Sequence, residues 1–122
     1  MPDRLATQAR HMGNGMLTAE AINAAGSRIA AAASSPSRVV LIGSYARGTA
    51  DDDSDLDLLV IEKQVPNCVE EGLRLRQAVG AMGVGVDVLV YSEREADRRA
   101  TGPGTFLYWA VKEGRVLHDA LA

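Results

Sequence analysis

The chain has 122 residues, with 13 basic and 16 acidic side chains and a formal net charge of −3. That length allows one domain, and a hydrophobic content of 47% excludes a disordered chain. No apolar run reaches the ~20 residues of a membrane span, and the mildly acidic charge disfavours nucleic acid as a direct ligand. The single cysteine, Cys68, cannot form an internal disulfide and favours a cytoplasmic location.

Helix and strand patterns alternate along most of the chain. Residues 1–16 show no sustained periodicity, and we predict a loose lead-in to one domain over residues 17–122. The predicted helices start after the capping residues Thr18, Asn67 and Ser92 and near Phe106. The predicted strands are 38–42, 56–61 and 86–91, with an edge strand at 116–117. This order predicts an α/β (α+β) fold in which helices pack on a short mixed β-sheet.

Two of the predicted helices carry large apolar side chains, and the spacing of these residues indicates which of them face the core. The helix after Asn67 should have an apolar side, and Gly83 and Gly85 mark its end; that side consists of Val69, Leu73, Val79 and Met82. In the last helix, Phe106, Tyr108 and Trp109 are too close in sequence to face one core. At least one of these rings should be exposed, which hints at a protein interface.

Five of the nine aspartates lie within the seven residues 51–57. Asp55 and Asp57 are two apart on a predicted strand, so both carboxylates should point to the same face. A divalent cation relieves the repulsion between such groups, and oxygen ligands suit Mg²⁺ or Mn²⁺. Asp87, in another strand, supplies a third carboxylate. If the two strands are neighbours, these aspartates could hold two metal ions about 4 Å apart, the spacing used in phosphoryl displacement.

A second motif, Gly43-Ser44, ends the first strand ten residues before Asp55. Glycine allows a sharp turn there, and we expect Ser44 to cap the turn that follows. Free backbone N–H groups and a hydroxyl at such a turn form a phosphate cradle, and Arg47 could neutralise a phosphate.

Less specific interpretations compete at several of these positions. Asp51, Asp52 and Asp53 are best interpreted as a solvated loop. An EF-hand calcium loop is excluded, because Leu56 stands where that loop requires glycine and a strand pattern follows. Asp87 alone could instead be a strand-end residue paired with an arginine.

The stretch GSYARGTADDDSDLDLLV resembles the polymerase-beta-like nucleotidyltransferases, and within them the minimal nucleotidyltransferases. The resemblance covers about residues 17–119 and includes the later lone aspartate. It implies that Gly43 and Ser44 bind nucleotide phosphates. It also implies that Asp55, Asp57 and Asp87 are the catalytic and metal-binding residues.

The resemblance further implies a function. Such an enzyme would transfer a nucleotidyl group, AMP when ATP is the donor, from a nucleoside triphosphate to a hydroxyl with two Mg²⁺ ions. Small members of the family act as antitoxins paired with HEPN-domain toxins, so a hetero-oligomer with such a partner is expected. Two alternatives stay open: a non-catalytic antitoxin that covers its partner, and a nucleotidyltransferase that acts on a small molecule or RNA.

Overall fold

The computed structural model describes residues 16–122, in which helices pack on both faces of one four-stranded sheet. The helices are α1 (Ala19–Ala32), α2 (Gly43–Arg47), α3 (Cys68–Val79), α4 (Glu93–Arg99) and α5 (Phe106–Glu113). The strands are β1 (Ser37–Ile42), β2 (Leu56–Glu62), β3 (Val86–Ser92) and β4 (Arg115–Asp119). The predicted fold class is confirmed. The lead-in predicted for residues 1–16 lies outside the described residues, apart from Met16.

The sheet has the strand order β3-β2-β1-β4. Strand β1 runs antiparallel to both β2 and β4, whereas β2 and β3 are parallel. The C-terminal end of β1 therefore lies at the same end of the sheet as the N-terminal ends of β2 and β3. The register there places Ile42 opposite Asp57, and Asp57 opposite Asp87. Segments that are far apart in the sequence therefore meet at one end of the sheet.

Both faces of the sheet are covered, which buries the apolar side chains that β2 carries on each face. Helices α1 and α3 cover one face, where Ile29 and Leu58 are fully buried. Helices α4 and α5 cover the other face, where Leu59 and Leu107 belong to a second apolar cluster. Asp57 is two residues before Leu59 and so shares the face that α5 covers. Within residues 16–122, no helix is long and apolar enough to cross a bilayer.

The predicted helix starts at Thr18, Asn67 and Ser92 are confirmed. Each of these side chains accepts a hydrogen bond from the backbone N–H three residues further on. The end of α3 comes earlier than predicted, because Gly80 with a φ of +77° follows its last turn and Gly83 lies in the loop beyond. Capping is a local interaction, so short sequence patterns are sufficient to predict it.

The buried side of α3 differs from the prediction. Val79 and Met82 are buried as expected, but Val69 and Leu73 are 75% and 59% exposed. The reason is Gly72, which is buried against the backbone of β3; a Cβ on this residue would lie 3.2 Å from the nearest carbonyl oxygen. This close approach fixes the rotation of the helix and turns Val69 and Leu73 toward solvent.

Two buried glutamates lie at the other end of the sheet, where β2 ends. Glu62 accepts hydrogen bonds from the backbone and hydroxyl of Ser35, and Glu71 accepts hydrogen bonds from Ser34 and Arg74. Burial, together with the neighbouring Glu71 carboxylate, raises the pKa of Glu62 to about 7. Burial alone would raise the pKa of Glu71, but its contacts with Glu62, Ser34 and Arg74 lower it to about 2. The pair therefore retains one proton over a wide pH range and connects β2 to α3.

Candidate functional site

Asp57 and Asp87 form a carboxylate pair at the end of the sheet where β2 and β3 begin. The two residues are in parallel register, so their side chains project from the same face. Burial raises the pKa of Asp57, and the carboxylate of Asp87 beside it raises that pKa further. Two negative charges side by side repel each other, so the pair favours a bound cation.

Asp55 directly precedes β2 and does not lie within it. Its carboxylate lies against Gly85, where a Cβ would be 2.5 Å from Oδ1. The charge of Asp55 contributes to the raised pKa of Asp57. Even so, no three histidine, cysteine or acidic side chains are grouped as a metal-binding cluster in the described part of the chain, residues 16–122. The structure brings Asp57 and Asp87 together and places Asp55 to one side.

Gly43 makes the sharp turn that leaves β1, as predicted, and lies directly against Asp57. Its φ of +75° is a left-handed conformation that favours glycine. A Cβ on Gly43 would overlap Oδ2 of Asp57 and lie 3.2 Å from its Cγ. Any other residue at this position would displace the carboxylate. Gly43 therefore provides both the turn and the space that Asp57 occupies.

Ser44 and Arg47 both lie on α2, the short helix after β1. The prediction that Ser44 caps the following turn is wrong: Ile42 is the N-cap residue, and the Ser44 carbonyl accepts a hydrogen bond from Thr49 N at 3.0 Å. The helix begins earlier than expected because Gly43 already makes the turn. The exposed Arg47 carries a charge that lowers the pKa of Asp57 and so acts on the carboxylate pair.

A cleft of about 530 Å³ opens between the carboxylate pair and α5. Sites for small molecules have volumes in this range. Four residues predicted for the site line the cleft: Gly43, Arg47, Asp57 and Asp87. Two others, Ser44 and Asp55, are not part of its lining.

The cleft also has an apolar wall that sequence reasoning did not assign to the site. We call Phe106 and Trp109, which are 57% and 44% exposed, the aromatic wall. They are three residues apart on α5 and so lie on the same side of that helix. The sequence predicts an exposed ring here but favours a protein interface. Only the packing of α5 beside the ends of β1 and β2 shows that the rings face a cleft.

The chemistry of the carboxylate pair suits a hard divalent cation. Its donors are all oxygens, which favour Mg²⁺ or Mn²⁺ over Zn²⁺. Because Gly43 has no side chain, the Asp57 carboxylate can lie where any Cβ would overlap it, in a position beside Asp87. The residues present therefore fit such an ion.

Comparisons with known proteins are consistent with this site. A family model described as a nucleotidyltransferase domain matches residues 27–81. A Methanocaldococcus jannaschii protein, provisionally named a protein adenylyltransferase, is 36% identical over 53 residues, which are 43% of this chain and 52% of that protein. The match thus spans about half the length of this curated relative.

A solved structure shows the same fold. The crystal structure of a provisionally assigned nucleotidyltransferase from Sulfolobus solfataricus has a TM-score of 0.50 and 24% identity to this chain. The alignment covers 77% of this chain and 78% of that one. The family match includes Gly43 and Asp57 but ends before Asp87 and the aromatic wall.

Proposed function

We propose that this chain transfers a nucleotidyl group from a nucleoside triphosphate to a hydroxyl group, because a nucleotidyltransferase domain model matches residues 27–81 and the curated relative is named an adenylyltransferase. The observation that carries this proposal is the carboxylate pair at a cleft large enough for a nucleotide. ATP is the proposed donor and AMP the transferred group, in line with the adenylyl transfer named for the curated relative.

We assign metal binding to Asp57 and Asp87, with Asp55 as a third ligand. The charge of Asp55 already acts on Asp57, which supports its inclusion. We propose two Mg²⁺ ions, replaceable by Mn²⁺. When bound, such ions supply positive charge to the triphosphate and orient its reacting phosphate.

The other predicted residues would bind the nucleotide and handle the proton. Backbone N–H groups at the start of α2 and the hydroxyl of Ser44 hold the β- and γ-phosphates, and Arg47 neutralises part of their charge. The acceptor oxygen bonds to the α-phosphorus in line, the bond to the β-phosphate oxygen breaks, and pyrophosphate leaves. Asp87, the more exposed member of the carboxylate pair, accepts the proton of the attacking hydroxyl.

The proposed acceptor is a hydroxyl on a partner protein, a HEPN-domain toxin that this chain inactivates as an antitoxin. The name of the curated relative, which specifies a protein as the acceptor, supports the choice of a protein. The two proteins would then form a hetero-oligomer in the cytoplasm, where ATP is available.

A second candidate function is that of a non-catalytic antitoxin, which neutralises its partner protein by covering part of the partner's surface. An exposed apolar strip favours it: Val69 and Leu73 on α3, with Leu89 on the neighbouring strand β3. Strand β3 is also an edge of the sheet, and edge strands present unpaired backbone groups to a partner. A protein could dock on this strip whether or not the cleft is active.

Transfer of label from ATP to the co-purified partner distinguishes catalysis from covering. We expect Asp57→Asn and Asp87→Asn each to reduce Mg²⁺-dependent labelling of the partner at least about 100-fold. The exposed loop residue Asp52, changed to Asn, is the matched control and should label at the wild-type rate. Equal labelling by all four proteins would contradict the catalytic assignment. Variants that lose labelling but still neutralise the partner would make covering the principal function.

A further inference from the structure

The cleft is lined by both charged and apolar side chains. Arg47, Glu113 and the carboxylate pair are charged, whereas Leu89 and the aromatic wall are apolar. We call the part around Arg47 and the carboxylate pair the charged end, and the part around Leu89 and the aromatic wall the apolar end. Leu89 lies two residues beyond Asp87 on the same face of β3, about 7 Å along the strand. A nucleotide likewise has a charged part, its phosphates, and a flat aromatic part, its base, with the ribose between them.

Trp109 is held in a fixed orientation with part of its surface open. Its Nε1–H donates a hydrogen bond to the Pro103 carbonyl at 2.6 Å. The Tyr108 ring packs against it nearly perpendicularly, at 83° and with the ring centroids 5.2 Å apart. The polar edge of the indole is therefore occupied within the protein, while 44% of the residue stays exposed. A ring fixed in this way can bind a flat ligand without losing much side-chain freedom.

Phe106 extends the surface by one helical turn. It is 57% exposed, although burying a phenylalanine side chain is favourable by about 2–3 kcal/mol. On the same helix, Leu107 and Ala110 supply the contacts to the sheet, so Phe106 is not needed for that packing. Its side chain lines the cleft and is open to a ligand there.

We propose that the aromatic wall is the base-binding surface of this site, on which the base of the donor nucleotide stacks against Trp109 and Phe106. The inference rests on the proposed function, because it takes the phosphates to lie at the charged end. Stacking uses the flat face that every base has, so the wall provides affinity for bases in general. Purines, which have the larger face, gain more from it than pyrimidines.

Trp109 is the only tryptophan of the chain, so the tryptophan fluorescence of the protein reports on the environment of this residue. With Mg²⁺ present, ATP should quench its fluorescence, whereas inorganic tripolyphosphate should bind with little effect on the emission. Calorimetry with the same two probes gives both affinities. Wild-type protein is expected to bind ATP more tightly than tripolyphosphate.

Variants of α5 test the contribution of each ring. Trp109→Leu and Phe106→Leu should each weaken ATP binding about ten-fold and leave tripolyphosphate binding unchanged. Trp109→Phe, which keeps an aromatic face, should restore most of the ATP affinity. The loss in Trp109→Leu should be smaller for UTP than for ATP. Val111→Ala, on the same helix but outside the cleft lining, is the control and should bind both probes as wild type does.

The outcomes separate this inference from the proposed function. Wild-type protein that binds neither probe with Mg²⁺ present would overturn both. Wild-type protein that binds both probes equally, or ATP affinity that is unchanged in Trp109→Leu, would overturn the base-binding surface alone. The same holds if Trp109→Leu raises only the KM for the acceptor, because the wall would then bind the acceptor.

Discussion

Gly43 and Gly48 have almost the same φ angle but different surroundings. Their φ values are +75° and +76°. A Cβ on Gly48 would meet nothing within 4 Å, whereas a Cβ on Gly43 would overlap the carboxylate of Asp57. A left-handed conformation costs a non-glycine residue roughly 1–2 kcal/mol at either position. Comparing the two therefore separates backbone strain from displacement of Asp57.

Alanine substitutions at the two glycines test that separation. Both Gly43→Ala and Gly48→Ala should lower the free energy of unfolding by about 1–2 kcal/mol, measured in urea. Only Gly43→Ala should also reduce nucleotidyl transfer, by about 100-fold, because its methyl group displaces Asp57. Mn²⁺ titration by calorimetry should show weakened binding for the same variant. Equal Mn²⁺ affinity in the two variants would show that Gly43 does not position the carboxylate.

Among the secondary-structure elements, local signals were predictable and contacts between elements were not. The caps at Thr18 and Asn67 depend on neighbours within three residues, so the sequence contains all the information they need. The rotation of α3 depends on the contact of Gly72 with β3, which periodicity cannot reveal. The same limit applies to the site. An acidic residue, Asp57, within an otherwise apolar strand is visible in the sequence, whereas the position of Trp109 on the same cleft depends on how α5 packs.

The contact between β2 and α3 makes stability depend on pH. Glu62 ionises near its ordinary pKa of 4.5 in the unfolded chain but only near 7 in the folded protein. The folded state is therefore favoured below pH 4.5 by this group, and that stability is lost as the pH rises through 7. Glu62→Gln keeps a hydrogen-bonding side chain without a titratable proton. It should be more stable than wild type at pH 8 by about 1–2 kcal/mol, with a smaller difference at pH 5.

Urea unfolding at the two pH values measures this effect. Glu70→Gln, at an exposed neighbouring position on α3, serves as the control and should show no gain that grows with pH. A Glu62→Gln variant that is less stable than wild type at pH 8 would contradict the assignment of a protonated Glu62.

For the whole molecule, the net charge of −3 opposes the binding of a triphosphate. The proposed metal site changes that conclusion. Two divalent cations carry more positive charge than three aspartates carry negative charge, so the loaded site attracts phosphate. At this site, the binding of an anionic substrate is therefore expected to depend on the metal.

Removal of the metal is a direct test of this view. In EDTA, ATP binding should fall at least about ten-fold, and added Mg²⁺ or Mn²⁺ should restore it. Equilibrium dialysis with labelled ATP gives both affinities, and an inert salt at matched ionic strength is the control for charge screening. Tight binding of ATP in EDTA would show that the protein holds the nucleotide without the metal.

The boundary of the family match gives the cleft two separable parts. Gly43 and Asp57 fall inside residues 27–81, whereas Asp87 on β3 and the aromatic wall on α5 lie outside them. The family match therefore covers part of the proposed phosphate and metal site and none of the surface proposed to bind the base. Relatives that share the Gly-Ser and Asp-x-Asp signature can then differ in nucleotide preference through this one helix. Exchanging residues 106–113 between such relatives would carry the preference with the helix and leave the reaction unchanged.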